Sequence, residues 1–355
     1  MKKNDLYGLI MAGGVGSRFW PMSTEDNPKQ FLDILGLGKS LLQLTFERLN
    51  KQIPTEQIYV LTNASYAKLV KSHLPMIDES QIICEPERKN TAPCILYASI
   101  KIKQINPNST LVITPSDHLI LQEDRFHKQL SMAIDEAQKE NLVTLGIKPT
   151  RPDVGYGYIE FESTIKPKAG EVAKVNQFRE KPSLETAKEF LNAGNFYWNA
   201  GIFIWTTNAI LNAFQKYQSD LYNLFLQIRI DSSSENSDLA IAFSKCKDVS
   251  IDYAILEHAD NISVVLTDFD WSDLGTWGSL SEKTSPNDEG NSTINANAHF
   301  FNASQNLVIS SDSKKILIDG LNNFIIVDSG DKLLIIQKEN ESKLKSYLQS
   351  MGEIV

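Results

Sequence analysis

The sequence predicts an α/β protein, with a mostly parallel sheet covered by helices on both faces and a small β-rich module at the C-terminus. Three observations lead there. Short apolar runs alternate with helix-periodic segments over the first two thirds of the 355 residues. Polar motifs follow directly on three of the apolar runs. Beyond residue 290, apolar clusters recur every eight to ten residues with Asn, Asp, Ser and Gly turns between them.

Taken in order, Tyr7 to Met11 reads as a short strand entering a glycine-rich loop, and Ser40 caps a helix through Lys51. Gln57 to Thr62 is the next strand, 64–73 a helix, and Ile82 to Cys84 a third strand. Asn90 or Thr91 opens a helix with Pro93 in its first turn, a position where a missing N–H costs nothing. Leu111 to Thr114 is a buried strand, a helix lies near 123–139, and Leu142 to Ile147 is a strand. From Tyr156 to Lys181 the pattern is β-rich. It is followed by a helix at 184–193, a polar-aromatic turn at 195–205, a long helix at 207–228 and a loop at 231–237. The clusters at 307–309, 316–318, 324–327 and 333–336 suggest coils of a β-helix, closed by a helix at 339–350. The expected division is a catalytic domain over 1–285 and a β-helix-like domain over 286–355.

The net charge of −9 argues against nonspecific nucleic-acid or membrane-surface binding, which needs a basic face. An anionic substrate would then depend on a few placed cations. Three cysteines without a CxxC pair suggest reduced thiols and no zinc site. The apolar run after Met1-Lys2-Lys3 is too short for export, and no stretch has the length of a membrane span, so a cytoplasmic protein is expected.

Ligands of parallel sheets bind beyond the carboxyl ends of strands, so the motifs at 12–18, 85–91 and 115–118 are expected to converge on one cleft. Gly13-Gly14-Val15-Gly16-Ser17-Arg18 lets backbone N–H groups approach phosphate oxygens, with Arg18 and Lys29 as cations. Its spacing fits neither the dinucleotide fingerprint nor a P-loop. A tight turn with a surface Arg is the plain alternative. Glu85 to Pro93 sets polar groups at a strand end beside a helix N-terminus, which is equally a helix cap. Asp117, in Thr114-Pro115-Ser116-Asp117-His118, and Asp273, in Asp270-Trp271-Ser272-Asp273, are each suited to a hard cation, while capping accounts equally well for Asp273. Glu180 and Lys181 of Phe178-Arg179-Glu180-Lys181-Pro182, with Asn199 beyond, offer groups for sugar hydroxyls and a phosphate; in isolation they are a charged turn.

In this order, the segments 11–32, 85–93, 114–118, 155–160, 178–182, 198–203, 250–257 and 270–277 resemble the sugar-nucleotide pyrophosphorylase family, most of all its guanylyl branch acting on mannose 1-phosphate. The likeness covers nearly all of 6–283. It implies a Rossmann-like nucleotidyltransferase sheet, an interleaved sugar-binding half and a left-handed β-helix-like tail. Ala12, Gly13, Gly14, Gly16, Ser17, Arg18 and Lys29 would hold the triphosphate, with Glu85, Asn90, Thr91, Pro115 and Ser116 around base and ribose. Asp117 and Asp273 would bind Mg²⁺, and Gly157, Glu180, Lys181 and Asn199 the sugar phosphate. Arg18, Lys29 and Lys181 are the expected catalytic cations. Phe19 and Met22 stand where the family more often has leucines. The chain stops at Val355, before the fused cupin domain that some relatives carry, so a single activity is expected.

The implied reaction joins GTP and mannose 1-phosphate into GDP-mannose and pyrophosphate. Alternatives are the same chemistry on another nucleotide or sugar 1-phosphate, and a non-catalytic regulatory paralogue. Retention of Arg18, Lys29, Asp117, Lys181 and Asp273 argues against the latter. A homodimer through the β-rich tail is an expectation from fold analogy.

Overall fold

The structure is a computed structural model that describes residues 5–14, 16–162, 168–312 and 314–353. Val15 and Met1-Lys2-Lys3 therefore lie outside the described residues, as does the side chain of Ser17.

The strands are β1 Leu6–Met11, β2 Ile58–Asn63, β3 Ile82–Glu85, β4 Thr110–Pro115, β5 Leu119–Ile120, β6 Leu142–Ile147, β7 Tyr158–Phe161, β8 Val172–Arg179 and β9 Phe196–Thr206. They continue with β10 Ile262–Thr267, β11 Trp271–Ser272, β12 Ser292–Ile294, β13 Asn297–Phe301, β14 Leu307–Ser310, β15 Lys315–Asp319, β16 Phe324–Ser329 and β17 Lys332–Gln337. The helices are α1 Leu41–Asn50, α2 Ala67–His73, α3 Thr91–Ile105, α4 Glu123–Ala137 and α5 Leu184–Ala193. After them come α6 Thr207–Tyr217, α7 Ser219–Phe225, α8 Glu235–Lys245, α9 Trp277–Ser281 and α10 Leu344–Ser350.

By packing, the chain forms two units. The first holds residues 1–13, 46–115 and 120–271, and the second holds 14–45, 116–119 and 272–355. Residues 14–45 and 116–119 thus group with the C-terminal segment, a division different from one at 285/286.

The first unit is built on a nine-stranded sheet of order β3-β2-β1-β4-β9-β6-β10-β8-β7, with a further β7–β9 pairing. Strands β1, β4 and β10 are buried along nearly their whole length, as strands covered on both faces are, whereas β8 is largely exposed. Tyr7, Leu9, Leu111 and Ile113 pack with α3, α6 and α7 on one face. On the opposite face, a Cβ on Gly8 of β1 would lie 3.1 Å from Leu49 and 3.3 Å from Ile53, and α4 packs on β6 and β10. Helices therefore cover both faces.

The sheet is mixed, not mostly parallel. β1, β2, β3 and β4 run parallel, as do β6 and β10, but β9 is antiparallel to β4, β6 and β7, and β8 to β7 and β10. Residues 195–205, expected as a turn, are mostly this central strand. Its aromatic and β-branched residues suit a pleated buried surface, and Trp205 and Ile204 are fully buried. The helix expected over 207–228 breaks at Gln218, where φ is −137° and ψ 50°. The loop expected at 231–237 runs into α8. The closing helix begins as a 3-10 turn, Lys338–Lys343, before α10.

In the second unit, β12, β14 and β16 form a parallel ladder to which β17 adds antiparallel, while β13 and β15 form a second parallel ladder. Leu307 pairs with Ile325, Asn297 with Lys315 and Ser304 with Asn322, each a step of 18 residues, while the β12–β14 rung, Ser292 with Leu307, steps by 15. Asn306, fully buried, joins successive turns of chain. Its amide donates to Asn291 Oδ1 and the Leu321 carbonyl and accepts from the Phe324 N–H. Among the described residues no helix is long and apolar enough to cross a membrane, and Cys84, Cys94 and Cys246 are free of disulfides.

Candidate active site

Within the second unit, Gly16, Arg18, Phe19, Lys29, Asp117, His118, Asp273, Leu274 and Gly275 line a cleft of about 320 Å³. Its centre is Lys29, 3% exposed, on a 3-10 turn after Pro28. The ammonium donates to Asp117 Oδ2 at 2.8 Å and to the Asp273 carbonyl at 2.7 Å, and it lies 5.3 Å from the centroid of the Phe19 ring. Taking an ammonium out of water costs several kcal/mol unless partners offset it. Here a carboxylate, a carbonyl and an aromatic face do so together. Burial raises the Asp117 carboxyl, but the Lys29 charge outweighs it with help from His118 and leaves the group below its ordinary value.

The glycine-rich loop fits around the Lys29 stem. Gly16 has φ +70°, and a Cβ there would lie 2.3 Å from Lys29 Cβ, so only glycine is accommodated. Gln30 donates to the Gly14 carbonyl at 2.9 Å and fixes the loop's path, while a Cβ on Gly14 would meet nothing within 4 Å. Arg18 is exposed at the rim. Ser116 is buried, with its carbonyl accepting from the Thr45 hydroxyl. The Asp273 turn is conformationally costly. Leu274 is fully buried with φ +47°, a placement worth about 1–3 kcal/mol of strain for a bulky side chain. Its N–H donates to Ser272 Oγ, and the Gly275 N–H donates to Asp273 Oδ1 at 3.0 Å.

Among the described residues no three Asp, Glu, His or Cys side chains form a metal cluster. Two carboxylates on one cleft nevertheless suit Mg²⁺, which commonly takes one or two protein carboxylates and completes its shell with water and substrate phosphates. Asp117 gives Oδ2 to Lys29, with Oδ1 3.9 Å from His118 Nε2, and Asp273 accepts the Gly275 N–H.

The first unit holds the other expected residues, in two groups. At the carboxyl ends of the parallel strands, Met11 pairs with Leu61 and Pro115, and Asn63 with Glu85. Ala12 continues the β1–β2 ladder, donating to the Leu61 carbonyl and accepting from Thr62 Oγ1, so it shapes the start of the loop. Glu85 lies beside Gly13, where a Cβ would be 3.9 Å from its Oε1. Burial pushes the Glu85 carboxyl up to about 7, against the pull of the Cys94 thiol and Arg88. The α3 N-terminus is less open to an anion than its sequence suggests. The Thr91 N–H goes to Asn90 Oδ1, the Ala92 N–H goes to the Val249 carbonyl, and Pro93 has none. Asn90 caps from a left-handed backbone, φ +63°, and Thr91 Oγ1 accepts from the Ile251 N–H.

In the second group Gly157 and Glu180 flank the paired ends of β7 and β8, where Tyr158 opposes Arg179. A Cβ on Gly157 would lie 2.1 Å from Glu180 Oε1, so the missing methyl makes room for the carboxylate. Burial, then the neighbouring Asp252, push Glu180 up to about 7. Lys181 is exposed with φ +47°. Asn199 is clamped at both ends. Its carbonyl oxygen accepts from the Gly201 N–H and Thr144 Oγ1, and its amide donates to Asp252 Oδ1 at 2.8 Å. Sequence reasoning left Asp252 without a role, although it lies in the 250–257 segment that carries part of the family resemblance. It opens a π-helical turn, Asp252–Leu256, a feature frequent at functional sites.

The two glycine contacts differ in kind. Glu180 meets Gly157 with the far end of a flexible side chain, whereas Lys29 meets Gly16 with its stem. Gly16→Ala should therefore lower stability by at least about 1–2 kcal/mol from the left-handed backbone alone and displace Lys29. Wild-type urea unfolding and full turnover in this variant would refute that.

The chain matches the nucleotidyl transferase family over residues 7–289. A mannose-1-phosphate guanylyltransferase of Klebsiella pneumoniae is 34% identical, over 98% of this chain and 74% of that protein. The alginate biosynthesis protein AlgA of Pseudomonas aeruginosa is 31% identical, over 97% of this chain and 71% of that protein. A crystal structure from Thermus thermophilus, described as a mannose-1-phosphate geranyltransferase, superposes with a TM-score of 0.87 at 26% identity, over 98% of this chain and 99% of that one. With the family matched over most of its length, and relatives about one third identical nearly end to end, this chain belongs to the nucleotidyl transferase family.

Proposed function

We propose that this nucleotidyltransferase joins GTP to mannose 1-phosphate, forming GDP-mannose and releasing pyrophosphate. The observation that carries the reading is the cleft in which Lys29, Arg18, Asp117 and Asp273 meet around a glycine loop. The names of its relatives supply the sugar and the base.

The sugar 1-phosphate oxygen attacks the α-phosphorus of GTP in line, a new P–O bond forms, and the bond to the β-phosphate bridging oxygen breaks. The second pKa of a phosphate monoester is near 6, so the nucleophile is already largely ionised at neutral pH and needs no general base. The barrier is repulsion between polyanions. Each unit-charge pair about 4 Å apart is worth about 4 kcal/mol at an effective dielectric near 20, before screening. Arg18 presents a fork to phosphate oxygens. Lys29 uses two of its three N–H donors on Asp117 and Asp273, and it would offer the third to the nucleotide. Asp117 and Asp273 would hold Mg²⁺, whose charge neutralises phosphate oxygens in this chemistry. Lys181, beside Glu180, is assigned to the sugar phosphate, and Gly157, Glu180 and Asn199 to the sugar. Asn90, Thr91, Pro115 and Ser116 are assigned to the nucleoside side. Positioning and charge then account for the rate.

Glu85 is assigned to the base, because an ionised carboxylate accepts from two adjacent N–H groups such as guanine presents. We further read residues 286–355 as a left-handed β-helix-like domain after a catalytic domain over 1–285, supported by the 18-residue step between paired strands. A cytoplasmic setting is proposed, in keeping with a nucleoside triphosphate substrate. A homodimer is proposed through the C-terminal strands, where Phe301, Leu317, Leu333 and Ile335 are more than half exposed. Sedimentation at the monomer mass would remove the dimer.

The first test is pyrophosphate release with Mg²⁺, with four nucleoside triphosphates against mannose 1-phosphate and glucose 1-phosphate. Release with GTP and mannose 1-phosphate alone is expected. Another productive pair would correct the substrate. Binding of GTP with no release under any pairing would favour a regulatory paralogue.

The Glu85 carboxyl titrates near 7. Its raised value means that ionisation costs fold stability, which is full below the ordinary carboxylate range and is lost as pH rises through about 7. Binding to a base donor needs the ionised form, so the KM for GTP should rise several-fold as pH falls from about 8 to about 6. Glu85→Gln should flatten that profile, and an unchanged slope in the variant would assign it to another group.

A further inference from the structure

Glu341 ties the C-terminal segment to the turn that carries Asp273. It sits on the 3-10 turn Lys338–Lys343, and its carboxylate accepts the backbone N–H groups of Trp277 and Gly278, the latter at 3.0 Å. These are the first two residues of α9. Thr276 and Ser279 already form a capping box there, so the distant carboxylate is an addition to a helix start that has its own local cap. Lys338 Nζ donates to Ser281 Oγ at 3.1 Å, so the same segment holds the far end of α9 as well.

On its other side α9 is fixed to the glycine-loop segment. The Trp277 indole N–H donates to the Trp20 carbonyl at 3.2 Å, and its ring meets Phe19 edge-on, with centroids 4.7 Å apart. Between α9 and Asp273 lie only Leu274, Gly275 and Thr276. A bulky residue with φ +47° persists where its surroundings hold it from both ends. Ser272 Oγ holds the upstream end by accepting the Leu274 N–H. The Glu341 contact holds the downstream end.

We propose that Glu341 is a positioning residue for this turn: by binding the Trp277 and Gly278 N–H groups it keeps Leu274 in its left-handed conformation and presents the Asp273 carboxylate to the cleft shared with Asp117. The inference rests on the reading of Asp273 as a divalent-cation ligand. It makes the C-terminal segment part of the cation site, although that segment supplies no ligand.

The test uses the full chain. Mn²⁺ alone is titrated in and followed by loss of the free-ion EPR signal, and the Mg²⁺ concentration for half-maximal pyrophosphate release is measured alongside. Glu341→Ala should weaken Mn²⁺ binding on the order of ten-fold, the scale seen when groups that orient metal ligands are removed, and should raise the Mg²⁺ requirement similarly. Glu341→Gln keeps an acceptor oxygen and should fall between wild type and Glu341→Ala. Val308→Ala, fully buried in a separate hydrophobic cluster of the same unit, should lower the melting temperature and leave both metal readouts unmoved. Wild-type Mn²⁺ binding in Glu341→Ala, or in Glu341→Gln should the alanine variant not fold, would overturn the proposal and leave Glu341 a structural cap. If Asp273→Asn also retains Mn²⁺, the ligand reading itself is wrong and the proposal falls with it. Loss in Asp273→Asn beside retention in Glu341→Ala would remove only the positioning role.

Discussion

A buried ammonium organises the cleft. Lys29 reaches Asp117 across 88 residues of sequence and the Asp273 carbonyl across 244, so three separate stretches of chain meet on one side chain. Lysine suits the task because its charge is compact and its three donors point in different directions. Two of them join the acidic turns. The same contact explains the loop around it. Gly16 cannot carry a side chain because the lysine stem occupies that space, and Gln30 secures the loop from the next position.

The group around Gly157 in the first unit follows a different principle. Glu180 and Asp252 are both pushed upward, chiefly by burial, and Asn199 is locked between a carbonyl end and an amino end that are each satisfied. Lys181 is the exposed cation that follows Glu180.

Much of this was legible in the sequence where the signal is local. The apolar runs of β1, β2 and β4 and the Asn90 cap of α3 announce themselves within a few residues. Strand direction does not, because alternation of strands and helices says nothing about which way a late strand enters the sheet. The Asn and Gly in residues 195–205 read as a turn, while the burial that makes them a strand comes from neighbours far along the chain. The break at Gln218 was signalled by Ser219 and Asp220 at the start of α7, a cue outweighed by continuous helical periodicity. Lys29 could be picked out as a cation, but not as a paired one. Asp252 and Glu341 act through tertiary contacts that leave no local mark.

The insertion of β9 between β4 and β6 also bears on how the chain is made. β4 leaves the ribosome with its outer edge unpaired, and roughly 90 residues must follow before the stretch from Phe203 to Thr206 can cover it. At about 5–20 residues per second this leaves an apolar strand edge open for about 4–18 s. Such an edge is a template for pairing with other chains. The parallel strands β1–β4 are therefore the first to be made and among the last to be sealed, and the vulnerable interval in the life of this protein falls during synthesis.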